Sequence, residues 1–253
     1  MERPESELRY WNSLISVVDA FELAGVGVWL EQGTLLGFVR EGWFLKGDND
    51  IDLAAKGADV WSKRSQLYRA FARKGIQITI TVNDVLIVIP NMDLPIAVHL
   101  YWESGKELIR NTVPSTQFRN SSVLIQPILL LCSFVIFTVI SNVFTRTKPF
   151  SRLRAYNAIL KITFPLVWVL SPIFKNQRFL KWYAVHTIHN SIGTQFVIPK
   201  DIVSPIKKLK KRDKELPIPN EEGLYLEQYY GPGWTTPDPQ FDTKNYYNKR
   251  STS

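Results

Sequence analysis

The sequence contains little of what stabilises small secreted or zinc-binding domains. Cys132 is the single cysteine among 253 residues, which excludes a disulfide framework within the chain and a cysteine-based zinc site. The first ten residues are charged and include no apolar run, so we expect no cleavable secretory signal. No internal repeat or low-complexity segment is present, which excludes a repeat architecture.

Length and charge limit the classes of protein and of binding partner that remain possible. A chain of 253 residues can bury a full core, which suits one elaborated domain or a domain with an insertion. The formal charge of +8 and a pI near 9.5 favour anionic partners such as nucleotide phosphates or anionic lipid. Basic and aromatic residues form no recognisable nucleic-acid module, so no nucleic acid partner is expected.

The densest chemistry lies in residues 31–53. An apolar run at 26–30 ends in Gly33 and Thr34, a pattern that predicts a strand followed by a tight turn beside a phosphate. Asp48, Asp50 and Asp52 follow at a spacing of two, which places three carboxylates on one face of an extended segment. Like charges this close require a cation, and oxygen ligands suit Mg²⁺ or Mn²⁺. The alternative is an Asp/Asn-rich turn.

The motif G-T-L-L-G, then Arg40, then D-N-D-I-D resembles the signature of the LicD and fukutin family. Members of that family resemble nucleotidyltransferase-fold enzymes. The resemblance implies catalytic residues at Asp50, Asp52 and Asp48, and donor phosphates cradled at Gly33 and Thr34. It further implies metal-dependent transfer of a phosphorylated alcohol, such as phosphocholine or an alditol phosphate. The donor would be a nucleotide-diphosphate-activated alcohol, and the acceptor a hydroxyl of a glycan or glycolipid.

One position departs from the family pattern. Strand-like runs at 76–82, 85–90 and 96–102 predict a sheet meander. The family places a third acidic residue on the last of these strands, where this sequence has His99. Imidazole binds Mn²⁺ better than Mg²⁺, so His99 is either a third metal ligand or a histidine hydrogen-bonded at a strand edge. The departure also raises the alternative of a catalytically impaired member.

Two further features of charge are ambiguous from sequence. Arg40 is a candidate phosphate-binding residue, and a salt bridge to Glu41 or to an aspartate is the alternative. The basic run 207–214 could meet a pyrophosphate or anionic headgroups, against the alternative of a solvated loop. Glu31 and Gln32, at the end of the predicted first strand, are expected to be solvated, and contact with the substrate is the alternative.

The middle of the chain is apolar. Residues 121–144 carry no charge over a length that could cross a bilayer, and a second apolar stretch at 155–174 follows a basic loop. We expect a paired or shallow membrane-associated element, with helices buried in a larger core or an oligomer interface as the alternative. The expected location is therefore a membrane surface. The missing signal favours its cytoplasmic face, and the lumen of an endomembrane compartment is the other possibility.

These features together predict an α/β (α+β) fold with a nucleotidyltransferase-like mixed sheet flanked by helices. Residues 1–120 would form the catalytic core, 121–178 the inserted apolar helical pair, and 179–253 the part that completes the catalytic domain. The alternative function is that of an impaired relative that binds nucleotide or glycan, or of a membrane-anchored interaction protein.

Overall fold

The computed structural model describes residues 5–48, 50–80, 83–90, 92, 94–111, 178 and 195–238. Its helices are α1 (Glu5–Leu23), α2 (Gln32–Leu36), α3 (Gly57–Ser62), α4 (Arg64–Arg73), α5 (Lys200–Val203) and α6 (Glu222–Tyr230). Its strands are β1 (Val28–Leu30), β2 (Ile51–Lys56), β3 (Gln77–Ile80), β4 (Asp84–Val88), β5 (Ile96–Ser104), β6 (Glu107–Asn111), β7 (Gln195–Pro199), β8 (Lys207–Lys211) and β9 (Lys214–Ile218). Helix α1 has apolar residues at helical spacing, and the three predicted strands after residue 76 are confirmed.

The main sheet is mixed, as predicted. Its order is β1-β2-β5-β4-β3, with β6 pairing β5 and β7 pairing β6. Strands β2 and β5 run parallel, and the other described pairs are antiparallel. Strands β8 and β9 form a separate hairpin. The parallel β2–β5 pair is central because it sets Asp52 on one strand beside the strand that carries His99.

The core lies between the sheet and its helices. Helices α1 and α4 meet through Phe21 and Phe71, whose ring centroids are 5.5 Å apart. Helix α6 places Tyr225 and Tyr229 in the core beside Trp29 and Tyr101. The fold is therefore α/β with a mixed sheet flanked by helices.

The chain after β1 differs from the sequence prediction. We expected a tight turn at Gly33 and Thr34, but helix α2 begins at Gln32, whose φ is +46°. A π-helical turn, Gly37–Glu41, continues it. A Cβ on Gly37 would lie 2.5 Å from the carbonyl oxygen of Trp43, so the close return of the chain requires glycine there. The G-T-L-L-G motif therefore specifies a short helix rather than a loop.

The described strands bracket the apolar middle of the chain. Strand β6 ends at Asn111, which pairs with Gln195 at the start of β7, so the chain leaves and re-enters the sheet at neighbouring strands. Apart from Arg178, the predicted apolar segment 121–178 lies outside the described residues. Within the described part of the chain, no helix is long and apolar enough to cross a membrane.

Candidate active site

Asp52 is fixed by the backbone and by one side chain. Its N–H donates to Thr34 Oγ1 at 2.9 Å, and its carbonyl accepts from the N–H of Glu31 at 3.1 Å. Thr34 is 1% exposed, so its hydroxyl is committed to this contact inside the protein. Asp52 lies in β2, whereas Asp48 and Asp50 precede the strand, so the predicted same-face alternation applies only from residue 51 onward. Thr34 thereby positions the acidic segment.

His99 lies between two carboxylates. Its Nδ1 is 2.7 Å from Asp84 Oδ1, and its Nε2 is 3.3 Å from Asp52 Oδ1. Asp84 is the direct antiparallel partner of His99 in the β4–β5 ladder. The structure thus brings together two predicted site residues, Asp52 and His99, and adds Asp84, which sequence reasoning missed. Only the strand register could have pointed to it.

The protonation states of His99 and Asp50 follow from their burial and from the charges next to them. Burial and the nearby Arg110 lower the pKa of His99, but hydrogen bonds with Asp52 and Asp84 outweigh them and raise it to about 9. His99 is therefore an imidazolium at neutral pH in this arrangement. Burial and the neighbouring charge of Asp52 raise the pKa of Asp50, partly offset by a hydrogen bond with Asp48. The site holds more carboxylate charge than His99 alone balances.

The donor set has the chemistry of a hard-cation site. Among the residues described here, no three or more His, Cys, Asp or Glu side chains are arranged to hold a metal ion. Carboxylate oxygens nevertheless suit Mg²⁺ or Mn²⁺. The pKa of Asp50 is raised first by burial and second by the charge of Asp52, and a bound cation would relieve this charge repulsion. Ligation by Asp50, Asp52 and His99 stays a prediction, and His99 would first have to lose a proton.

The predicted phosphate-binding residues have other contacts in the structure. A Cβ on Gly33 would lie 2.7 Å from Asp48 Oδ2, so this glycine makes room for the Asp48 carboxylate. Arg40 Nε donates to Glu41 Oε1 at 2.7 Å, and its Nη1 donates to the Trp234 carbonyl at 3.1 Å. Of the alternatives for Arg40, the contact with Glu41 is present. Phosphate binding by Gly33, Thr34 and Arg40 stays a prediction.

A pocket of about 790 Å³ lies beside Asp48 and Asp50. That volume lies within the range of about 300 to 1,000 Å³ that small-molecule sites occupy. Asp48 and Asp50 contribute to its wall together with aromatic and basic side chains, namely Tyr10, Trp43, Phe44, Arg40 and Lys46. The pocket therefore offers flat apolar surfaces, cations and carboxylates to one ligand.

Residues 25–86 match the model of the LicD/FKTN/FKRP nucleotidyltransferase domain. The predicted LicD resemblance is confirmed over this segment. The LicD segment includes Gly33, Thr34, the three aspartates and Asp84, and it ends before His99. The match to a nucleotidyltransferase domain supports the prediction that the protein is a transferase.

Solved structures give more distant likenesses. A crystal structure of ANT(2'')-Ia in complex with adenylyl-2''-tobramycin shares 14% identity, covering 66% of this chain and 97% of that one at a TM-score of 0.32. A solution structure of the antibiotic-resistance factor ANT(2'')-Ia shares 12% identity, covering 72% and 98% at a TM-score of 0.34. Among curated proteins, none matches the chain.

A buried polar network centred on Glu31 lies next to Asp52. Glu31 is 0% exposed, which contradicts the expected solvation at a strand end. Its Oε1 accepts hydrogen bonds from the hydroxyls of Tyr101, Tyr225 and Tyr229, and Arg110 Nε lies 3.6 Å from the same oxygen. Buried charge is tolerated only with such partners. The spacing of Tyr225 and Tyr229 on one helical face was the available sequence signal.

This network ties α6 to the sheet next to Asp52. Glu31 and Asp52 share a backbone hydrogen bond, and Tyr101 lies two residues after His99 on β5. Burial and the charge of Glu31 raise the pKa of Tyr101 and Tyr225 well above the ordinary value, so both hydroxyls keep their protons and donate. The C-terminal helix therefore helps to fix the strands that carry Asp52 and His99.

Proposed function

We propose that the protein is a LicD-type transferase that moves a phosphorylated alcohol, such as phosphocholine or an alditol phosphate, from a nucleotide-diphosphate donor to a glycan or glycolipid hydroxyl. The observation that carries the proposal is the placement of Asp52. It is held by Thr34 inside the LicD segment, with Asp48 and Asp50 next to it at the wall of a ligand-sized pocket.

The reaction class sets what the residues must do. The bond between the donor phosphorus and the oxygen on its nucleotide side breaks, a bond forms from that phosphorus to the acceptor oxygen, and the acceptor hydroxyl loses its proton. The products are the modified acceptor and a nucleoside monophosphate. Such transfers depend mainly on positioning and on neutralising phosphate charge.

The chain's residues divide these tasks. Asp50 and Asp52, with Asp48, would hold Mg²⁺ or Mn²⁺, which when bound neutralises donor phosphate charge. Thr34 keeps Asp52 in place through its hydroxyl. Lys46 and Arg40 line the same pocket and supply cations for phosphate oxygens. Trp43 and Phe44 offer aromatic faces on which a base can stack.

A second candidate function rests on His99. Its two ring nitrogens contact Asp84 and Asp52, so the position that carries an acid in the family here carries a cation paired with an acid. An impaired relative that binds nucleotide or glycan without turnover would tolerate that pairing. Saturable nucleotide binding with no product from any donor would favour this function.

The test of the transferase proposal is a donor screen. Purified full-length protein is incubated with nucleotide-activated alcohols, including CDP-choline and CDP-alditols, with Mg²⁺ or Mn²⁺ and glycan acceptors, and nucleoside monophosphate is measured. At least one donor should be turned over, and Asp50→Asn and Asp52→Asn should each lower the rate at least about 100-fold, because charge neutralisation is lost. Glu215→Gln, an exposed carboxylate on β9, is the matched control. Unchanged turnover by both aspartate variants would contradict the proposal.

Membrane association through residues 121–178 is a separate part of the proposal, supported by the uncharged stretch at 121–144. Apolar insertion is not screened by salt in the way that surface attraction is. The protein should therefore stay with membranes after a high-salt wash. Recovery of all of it in the soluble fraction without detergent would reject membrane association.

A further inference from the structure

The basic run at 207–214 is not a loop. It forms strand β8, the turn and the first residue of β9 in the β8–β9 hairpin. Leu209 faces Leu216 across the hairpin, and Leu216 is fully buried, which anchors the hairpin on the body of the protein. Because side chains alternate along a strand, Lys207 and Lys211 share the face of Leu209, while Lys208 and Lys210 lie on the other face. The hairpin thus has a body-side and an outer set of lysines.

The tip of the hairpin contacts Trp43, a residue of the pocket wall. The guanidinium of Arg212 lies 5.4 Å from the ring centroid of Trp43, which lines the pocket. Lys211 Nζ would be 3.5 Å from a Cβ placed on Gly42, the residue before Trp43. Arg212 therefore contacts a residue of the pocket wall, and Lys211 lies close to the neighbouring Gly42.

The tip concentrates positive charge at a conformational and electrostatic cost. Lys211 and Lys214 are direct cross-strand partners, and like charges facing each other destabilise a hairpin. Arg212 between them has a φ of +53°, a left-handed conformation that glycine or asparagine adopts more readily than arginine. Asp213 is the one acidic residue of the four-residue tip 211–214. An anion bound here would relieve the repulsion and explain why these residue types stand at the tip.

We propose that Lys211, Arg212 and Lys214 form a second phosphate-binding site, which takes a phosphate of the ligand that occupies the pocket. The inference rests on the proposed function and deepens it by assigning the ligand an anionic group beyond those beside Asp50 and Asp52. Lysine and arginine cations bind phosphate oxygens through charge-assisted hydrogen bonds, and Trp43 holds the Arg212 guanidinium in place for this contact. The phosphate belongs either to the donor's pyrophosphate or to a phosphorylated acceptor.

The test compares two pairs of substitutions in full-length protein. Lys211→Ala with Arg212→Ala removes two charges from the tip, and Lys208→Ala with Lys210→Ala removes two from the outer face of the same hairpin. Dissociation constants for inorganic pyrophosphate, CDP and a sugar phosphate are measured by calorimetry without divalent ions, at low and at physiological salt. The tip pair should bind pyrophosphate about tenfold more weakly, and the outer pair less than about twofold, because bound phosphate requires contact.

The arms of the experiment separate the two phosphate sources. Weaker CDP binding by the tip pair assigns the site to the donor, whereas weaker binding of the sugar phosphate alone assigns it to the acceptor. An equal loss of pyrophosphate affinity in the tip pair and the outer pair would overturn the proposal. An unchanged affinity in the tip pair would overturn it as well. Arg212→Lys keeps the charge but loses the planar guanidinium that Trp43 holds. It should therefore bind pyrophosphate more tightly than Arg212→Ala and more weakly than the wild type, which provides a folded comparison.

Failure of the second site is distinguishable from failure of the transferase function. Because binding is measured without metal and without turnover, the result does not depend on catalysis. An unchanged pyrophosphate affinity in the tip pair, together with donor turnover by the wild type, would reject only the second site. A tenfold weaker affinity in the tip pair, with no donor turned over by the wild type, would reject only the transferase function.

Discussion

Replacing Arg110 with methionine should destabilise the protein more than the loss of any surface ion pair. Arg110 is 6% exposed and Glu31 is 0% exposed, with 3.6 Å between Nε and Oε1. Removing one partner of a buried pair leaves an uncompensated charge, at a cost of about 3 to 5 kcal/mol. Tyrosine hydroxyls still donate to Glu31 in the variant, so we expect the lower end, about 3 kcal/mol.

The assay is urea unfolding at pH 7 followed by tryptophan fluorescence, with the free energy of unfolding compared between variants. Lys74→Met is the matched control, because Lys74 pairs with Asp19 at 3.5 Å on the surface and its loss should cost less than about 1 kcal/mol. Adding Glu31→Gln to Arg110→Met should restore part of the lost stability, because the buried charge is then gone. A cost for Arg110→Met no larger than that of the control would refute the reasoning.

Three further predictions concern His99 and Thr34, which both contact Asp52. The pKa of His99 is raised from 6.5 to about 9, so its ion pairs stabilise the fold fully below pH 6.5 and lose that contribution, up to about 3 kcal/mol, as pH rises through 9. Stability curves against pH should show this loss in the wild type and not in His99→Gln; identical curves would exclude it. If His99 also ligates the metal, Mn²⁺ should support activity better than Mg²⁺, and His99→Asp should reverse the order. Thr34→Val should lower stability by about 1 to 2 kcal/mol and reduce turnover, because the N–H of Asp52 loses its acceptor, while Thr34→Ser should retain both; equal behaviour of the two variants would exclude that role.

The sequence predicted those parts of the fold that depend on local periodicity. The helix at 5–23 and strands β3 to β5 follow from the spacing of apolar residues, and Gly25 and Gly231 end their helices with positive φ as glycines do. Helix α2 was missed because the Gly33-Thr34 pair is also good turn chemistry, and the packing that selects a helix is tertiary. The restriction at Gly37 comes from residues 43–45 and is invisible to any local pattern.

The candidate site was predictable only in its acidic half. Asp50 and Asp52 could be selected because they are neighbours in the chain, whereas Asp84 joins His99 through strand register. Glu31 is 194 residues from Tyr225 and 198 from Tyr229 in the chain. Its burial therefore depends on α6 returning to the sheet, which no pattern around residue 31 encodes. Long-range pairing of polar groups was the part that sequence reasoning could not supply.

The central claim is that Asp50 and Asp52 dock the donor's phosphates through a divalent ion, and one calorimetric titration tests it directly. Nucleoside diphosphates, CDP first, are titrated into the wild type and Asp52→Asn, with and without Mn²⁺. The account predicts that Mn²⁺ tightens binding to the wild type at least about tenfold and leaves binding to Asp52→Asn unchanged, because the variant lacks a ligand charge. Nucleotide affinity that is independent of Mn²⁺ in the wild type, or equally dependent on it in Asp52→Asn, would contradict the claim.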